Sequence, residues 1–410
     1  MAALRKLWCQ CCIAGGGPAG IMLGYLLARA GVDVVVLEKH ADFFRDFRGD
    51  TIHPSTLALF DELGLLSAFL QLPHHAVRHL TMAFGASQVR IADFRHLRAP
   101  CKFIALMPQW DFLDFLAGQG RAYPTFSLHM ATEAIGLIEQ GGRIAGVRAR
   151  SGQDELEVHA DLCIAADGRH STLRERAGMQ VRDLGAPMDV LWFRLARQPD
   201  AADQPLGRFG AGWILIAIDR GDYWQCGYVI AKGGYEALRA KGLEAFRARL
   251  AGFVPSLAGA IAALASWDEI KLLTVKVDRL ERWWRPGFLC IGDAAHAMSP
   301  VAGVGVNLAI QDAVATANEV AEPLLDAALD DEHLARIQRR RQWPVALTQR
   351  LQLLVQNRVI ADVLKEQSEV RPPLAFRLFD RLPLLRRIPA RLIGLGVRPE
   401  HIATPDVGRS

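Results

Sequence analysis

The chemistry this chain could perform is concentrated in polar residues set at the ends of apolar runs. Residues 292–312 read GDAAHAMSPVAGVGVNLAIQD. An apolar run ends in Gly292 and Asp293, a loop with Pro300, Gly303 and Gly305 follows, and a helix begins near Val306 and carries Asn307. Strand, carboxylate, glycine-rich loop and helix in that order deliver backbone N–H groups to an anion at a helix N-terminus. A second such unit stands near the start, where residues 8–14 run into Gly15-Gly16-Gly17-Pro18-Ala19-Gly20. Glycines there permit a tight turn, close approach of backbone to a pyrophosphate, and tight helix–strand packing. Glu38 ends the next apolar run, 18 residues past Gly20, where a carboxylate can hold ribose hydroxyls. An acidic residue at that tip fits an adenosine without a 2′-phosphate, so NAD or FAD rather than NADP. A third strand end carries Asp167-Gly168.

Other chemistries have less support. No Ser/His/Asp arrangement is evident, and His74, His75 and His79 lack a carboxylate at metal-like spacing. No metal site is expected. His53 and His296 stand in polar loops and are the candidate catalytic groups for proton transfer, weighed against the commoner role of a hydrogen-bonded structural histidine. The seven cysteines show no paired metal spacing, and several lie in apolar runs where a thiol behaves as a small hydrophobe. A reducing, cytoplasmic compartment fits them best.

The elements that must position these residues come from a chain of 410 residues, 51% hydrophobic and 22% charged, which describes a folded protein of two domains or one large domain with an insertion. A net charge of +4 argues against a nucleic-acid partner. Residues 7–28 carry no charge and imitate a secretory signal, but Gly15-Gly16-Gly17-Pro18 would break its helix. Strands alternate with helices at 8–14, 32–37 and 162–166. Residues 191–195, 213–218 and 223–230 read instead as a separate antiparallel sheet. Residues 331–364 read as one long helix bent at Pro344. Between Arg371 and Arg398 there are seven arginines against Asp380 alone, interleaved with leucines. A terminal helix packed on the body is the expectation there, with weak membrane-surface contact as the sharper alternative.

Three stretches in this order, GGGPAG at 15–20, AADGRHSTLR at 165–174 and the stretch at 292–312, resemble the FAD-dependent aromatic hydroxylases, the para-hydroxybenzoate hydroxylase-like group of flavoprotein monooxygenases. The resemblance implies an α/β fold: a Rossmann-type, glutathione reductase-like FAD-binding domain, an interleaved antiparallel-sheet substrate domain, and C-terminal helices. The implied boundaries are 1–75 with 100–180 and 275–330 for FAD, 76–99 with 181–274 for substrate, and 331–410 for the helical region. Gly15, Gly17, Pro18, Ala19 and Gly20 would line the pyrophosphate, with Glu38 and Lys39 at the adenosine ribose. Arg48, Gly49, Asp50, Thr51 and Gln109 would lie along the flavin. Asp293, after Gly292, would hold the ribityl hydroxyls, Asp167 would serve FAD and the nicotinamide cofactor, and residues 300–307 would run under the ring. The implied reaction uses NADH or NADPH and O2 to hydroxylate an aromatic molecule through a flavin C4a-hydroperoxide. The alternative is an FAD-dependent reductase of the geranylgeranyl reductase type, acting on a lipid double bond.

In the substrate sheet the chain departs from hydroxybenzoate enzymes, which present polar and arginine side chains to a carboxylate; Ala217 and Asp219 stand at the approximate positions here. Trp192, Trp213, Leu215, Tyr223, Trp224 and Tyr228 make the expected pocket apolar and aromatic, which points to a polycyclic or prenylated aromatic substrate. The oligomeric state is not legible.

Overall fold

Arg5–Ala14 forms the central strand of the larger sheet because its second half, Cys11 to Ala14, is apolar and buried on both faces. Val34–Leu37 and Asp154–Ala165 flank it in parallel. Phe126–His129 and Phe288–Cys290 extend the parallel order outward, and Trp284–Arg285 closes one edge antiparallel. The signal-like stretch is this strand together with the helix Pro18–Arg29, whose proline occupies the first turn, where its missing N–H is not needed. Asp154–Ala165 is one long strand that extends upstream of the apolar run at 162–166; its first half pairs with the antiparallel ribbon Arg143–Ser151 and Thr132–Gln140. Helix Pro18–Arg29 packs against both Gly305–Leu325 and Gln109–Gly120. The computed structural model describes residues 5–44, 51–85, 87–197, 206–365 and 370–408.

A second sheet has the order Lys271–Leu273, Met188–Ala196, Tyr223–Ala231, Trp213–Asp219, Gly207–Gly210, His79–Phe84, Ser87–Asp93. Every pairing is antiparallel except Gly207–Gly210 with His79–Phe84, where a hairpin from far upstream joins the edge in parallel. Side chains alternate across this sheet. One face is covered by the helices Leu243–Phe253 and Ala258–Ala262, where Leu191, Phe193, Trp224, Cys226 and Tyr228 pack against Phe246, Leu250 and Ile261. Val190, Trp192, Ile214, Ile216 and Val229 face the other way.

Helix Asp331–Val355 runs unbroken through Pro344, and its irregularity is a π turn at Gln356–Ile360 leading into Ala361–Lys365. Leu374–Arg381 and Arg387–Gly394 lie against the edge strand Ser87–Asp93. Among the described residues no helix is long and apolar enough to cross a membrane.

Candidate functional site

The parallel strands of the first sheet end together, and their carboxyl ends carry the residues singled out by spacing. Gly15 follows Ala14, Glu38 follows Leu37, Asp167 lies two residues past Ala165, and Gly292-Asp293 lies just past Cys290. In open α/β sheets, ligands sit in the crevice outside those ends. Gly15 turns there at φ +107°, and a Cβ on it would stand 2.4 Å from the Ala166 carbonyl oxygen, so no side chain fits. A Cβ on Gly17 would meet no atom within 4 Å. That open space lies at the N-cap of Pro18–Arg29, which has no side-chain cap and no acidic residue in its first turn. A 12-residue helix thus points its positive end at this glycine turn.

The carboxylates around this turn differ in how far the protein satisfies them. Glu38 is buried and accepts hydrogen bonds from the Gly16 and His40 amides at 2.9 and 3.0 Å, which aims its carboxylate across the glycine turn. Asp167 accepts from the Leu173 amide at 3.3 Å, but its Oδ1 is buried with no partner, and burial pushes its carboxyl pKa up. A buried lone acceptor is costly unless a ligand donor meets it. Asp293 pairs with Arg169 at 3.2 Å and is part exposed.

The other half of the site is the loop before helix Gly305–Leu325. Ala302 sits at φ 64°, a left-handed conformation uncommon for alanine, and Gly303 follows at φ 62°. Asn307 holds this turn against the chain preceding helix Pro54–Glu62. Its Oδ1 accepts from the His53 amide and the Thr56 hydroxyl, both at 2.8 Å, and its Nδ2 donates to the Thr51 carbonyl at 3.1 Å. Thr51 Oγ1 donates to the Gly303 carbonyl at 2.8 Å. Pro300, Gly303, Gly305, Val306 and Asn307 therefore share one stiff unit with Thr51. Helix Gly305–Leu325 has no side-chain cap and no first-turn acid, so its positive end is also left open. Gln109 is buried at the start of its own helix. Lys39 follows Glu38 at the surface. Arg48, Gly49 and Asp50 lie outside the described residues.

The two histidines have different surroundings. His53 is fully buried; its Nδ1–H donates to the Ile393 carbonyl at 2.7 Å, and Nε2 is buried without a partner. A carbonyl only accepts, so Nδ1 carries the proton and Nε2 is a bare lone pair. Burial lowers the His53 pKa to about 4, so the ring is neutral. His296 instead belongs to a buried ion cluster. Its Nε2 lies 2.6 Å from Asp312 Oδ2, which also accepts from the Gly292 amide at 3.1 Å. Arg341 Nε donates to Asp312 Oδ1 at 2.9 Å and reaches Glu400 at 3.1 Å. Burial opposes ionisation of Asp312, but His296 and Arg341 outweigh it and hold its carboxyl below the usual range. This geometry makes His296 a brace beneath the Gly292-Asp293 turn.

Strand alternation divides the aromatic residues expected to bind substrate. Trp213, Leu215, Trp224 and Tyr228 face the covering helices, where Trp213 stacks on Phe253 at 4.1 Å and Tyr228 meets Phe246 edge-on. Leu215, Trp224 and Tyr228 are buried in this core and Trp213 packs half-buried against it, so Trp213, Leu215 and Tyr228 lie on the face away from Trp192 rather than beside it in one pocket; Ala217 faces the same way as they do. Trp192 lies on the opposite face, its ring over Gly227, in an apolar cluster with Leu106, Ile216, Ile218 and Ile393. Tyr223 shares Trp192's face by register, with the Arg194 guanidinium 4.9 Å over its ring. Val301 of the loop before helix Gly305–Leu325 packs with Val190, Ile214 and Val229 on that same face. Asp219 pairs with Arg197 at 3.3 Å.

The FAD binding domain family matches residues 8–351. The 6-methylpretetramide 4-monooxygenase of Streptomyces rimosus is 33% identical over 383 residues, covering 93% of this chain and 91% of that protein. This chain belongs to the FAD-dependent aromatic monooxygenase family. Solved structures with the same fold include OxyS anhydrotetracycline hydroxylase from Streptomyces rimosus, with a TM-score of 0.76 at 23% identity, covering 96% of this chain and 77% of that one. The p-nitrophenol 4-monooxygenase PnpA from Pseudomonas putida DLL-E4 has a TM-score of 0.75 at 18% identity, covering 96% and 100%. As a flavoprotein monooxygenase, the chain has donors and acceptors that fit FAD: an uncapped helix end beside an open cradle, an orphaned carboxylate oxygen at Asp167, and a stiff loop opposite. The sequence did not single out Ile393, Arg341 or Glu400. Ile393 meets His53 340 residues away, and Arg341 meets Asp312 and Glu400 on other segments 29 and 59 residues away, so no local spacing signals such pairs.

Proposed function

We propose that this monooxygenase uses NADH or NADPH, with dioxygen, to hydroxylate an apolar polycyclic aromatic molecule held between the Trp192 face of the second sheet and the loop around Val301. Bound FAD would supply electron transfer and dioxygen activation. Gly15, Gly17 and the first turn of Pro18–Arg29 would hold its pyrophosphate, with Glu38 at the ribose and Asp167 and Asp293 accepting from hydroxyls. The open N-terminus of Gly305–Leu325 would stabilise negative charge at the ring. Val190, Trp192, Ile214, Ile216 and Val301 would exclude water from the reacting atoms. His53 offers Nε2 as a hydrogen-bond acceptor, and its low pKa makes it a poor base at neutral pH.

The observation that carries the substrate reading is the apolar face itself, where Trp192, Ile216 and Ile218 meet Leu106 and Ile393. The name of the Streptomyces rimosus relative supports a polycyclic substrate, and the named relatives lend nothing to the reductase alternative. NAD(P)H oxidation across a panel of polycyclic phenols and simple hydroxybenzoates tests it. Consumption matched by oxygenated polycyclic product is expected, and coupled hydroxylation of a simple hydroxybenzoate would refute the substrate class.

A weak contact with an anionic lipid surface accompanies this reading. Leu374, Leu384 and Ile388 are exposed at 80%, 69% and 55% among Arg377, Arg381, Arg387 and Arg391. Replacing Leu374 and Leu384 by Asp leaves Glu400 and its partners intact. Pelleting with anionic vesicles should then fall, and unchanged pelleting would end the idea.

A further inference from the structure

Beside the long helix Asp331–Val355, an open groove of about 440 Å³ is lined by Arg279, Arg339, Trp343, Leu347 and Arg350, among others. Leu347 and Arg350 follow Trp343 by four and seven residues, so all three share one helix face. Trp343 is 57% exposed. Across the groove, Arg279 stands directly opposite Arg182 in the antiparallel pair Val181–Asp183 and Asp278–Leu280. Like charges placed so cost stability. Burial, then repulsion from Arg182 and Arg350, lowers the Arg279 pKa.

Charge pairing elsewhere on the helix is different. Arg336, Arg339, Arg340 and Arg341 each meet a carboxylate: Glu319, Glu332, Glu400 and Asp312. Among the described residues, Arg182, Arg279 and Arg350 have no carboxylate within ion-pair distance. Arg279 donates only to a neutral acceptor, Gln349 Oε1, at 3.2 Å. Arg182 and Arg350, each repelling Arg279 beside an exposed indole, do not stabilise the fold. They match a ligand that joins a dianionic phosphate to a flat aromatic ring.

We propose that this groove binds the 2′-phosphoadenosine end of NADPH, which makes NADPH the reductant. The adenine stacks on Trp343, and Arg279 and Arg350, with Arg182, hold the 2′-phosphate. The proposal rests on the pyridine-nucleotide reading of the preceding section. The groove adjoins the redox end of the site through two neighbours on the same helix. Gln349 donates to the Ala297 carbonyl at 3.1 Å, and Gln352 donates to the Ser299 and Val301 carbonyls at 3.0 and 2.8 Å. Glu38, bound to the Gly16 amide past the strand Val34–Leu37, would serve the FAD adenosine and does not line this groove, so the two adenosine sites use different residues.

The test measures kcat/KM for NADPH and NADH on the flavin-loaded enzyme and on Arg279→Ala, Arg350→Ala and Trp343→Ala. Calorimetric titrations with 2′,5′-ADP and 5′-AMP accompany it, and flavin absorbance reports that each variant is folded. Wild type should prefer NADPH and bind 2′,5′-ADP more tightly than 5′-AMP. Each arginine variant should lower the NADPH-to-NADH preference by roughly tenfold or more. Preference for NADH, equal use of both, or an unchanged preference in the variants overturns the groove while leaving the reductant reading in place. Oxidation of neither nucleotide overturns both.

Discussion

Replacing His53 by Gln should flatten the acid limb of the protein's stability. The ring is fully buried, and burial takes its pKa from 6.5 to about 4. A histidine whose folded pKa lies below its unfolded value contributes stability that is present above the unfolded pKa. Between pH 6.5 and about 4 the unfolded chain binds the extra proton, so stability falls as pH falls through that window and levels off below it. At about 1.4 kcal/mol per pH unit, the gap corresponds to roughly 3 kcal/mol lost across it. Gln carries an N–H for the Ile393 carbonyl and does not titrate. The assay is urea unfolding of wild type and His53→Gln at half-unit steps from pH 7.5 to 4. The difference in unfolding free energy should shrink in favour of the variant by roughly 3 kcal/mol on going to acid. Parallel pH curves for the two proteins would refute the assignment of a neutral, buried ring.

Arg341→Met should destabilise by about 3 kcal/mol, because it removes the fully buried cation that joins Asp312 to Glu400 and leaves only His296 and the part-exposed Arg340 to hold them; denaturant midpoints measure this, and a loss under 1 kcal/mol would mean the cluster is solvated. Ala302→Gly should stabilise by up to about 1 kcal/mol by removing left-handed strain at φ 64°, read as a raised melting temperature with flavin content retained. Gly15→Val should abolish FAD retention on gel filtration, since its Cβ would strike the Ala166 carbonyl. Trp192→Ala should raise KM for the aromatic substrate with little change in stability. Trp213→Ala should lower stability by about 3 kcal/mol and leave KM within twofold; the reverse pattern would show that the wrong sheet face has been assigned to substrate.

The edge where the parallel strands end was legible in the sequence because its pattern is local. Gly15 to Gly20, Glu38 and Asp293 each stand at a fixed distance from an apolar run, and the sheet brings those run ends together. Aromatic content of the second sheet was equally visible, but its direction was not. Trp192 and Trp213 differ only in which phase of a two-residue alternation faces the helices, and that phase depends on the register with Tyr223–Ala231. Nor could the sequence show that His296 belongs to Asp312, Arg341 and Glu400. These residues come from a loop, two helices and the returning C-terminal segment, so proximity among them exists only after folding. Asn307 shows an intermediate case. Its place after the glycine loop was clear, while its bonds to Thr51, His53 and Thr56 show it bracing the loop.

Labelled dioxygen tests the central claim most directly. The flavin-loaded enzyme is incubated with NADPH or NADH, a polycyclic phenol and 18-oxygen gas, and the product is weighed by mass spectrometry. The account predicts a product carrying one labelled oxygen atom, formed in step with nucleotide consumed. A product gaining two hydrogens without oxygen, or the same product formed anaerobically, would contradict it.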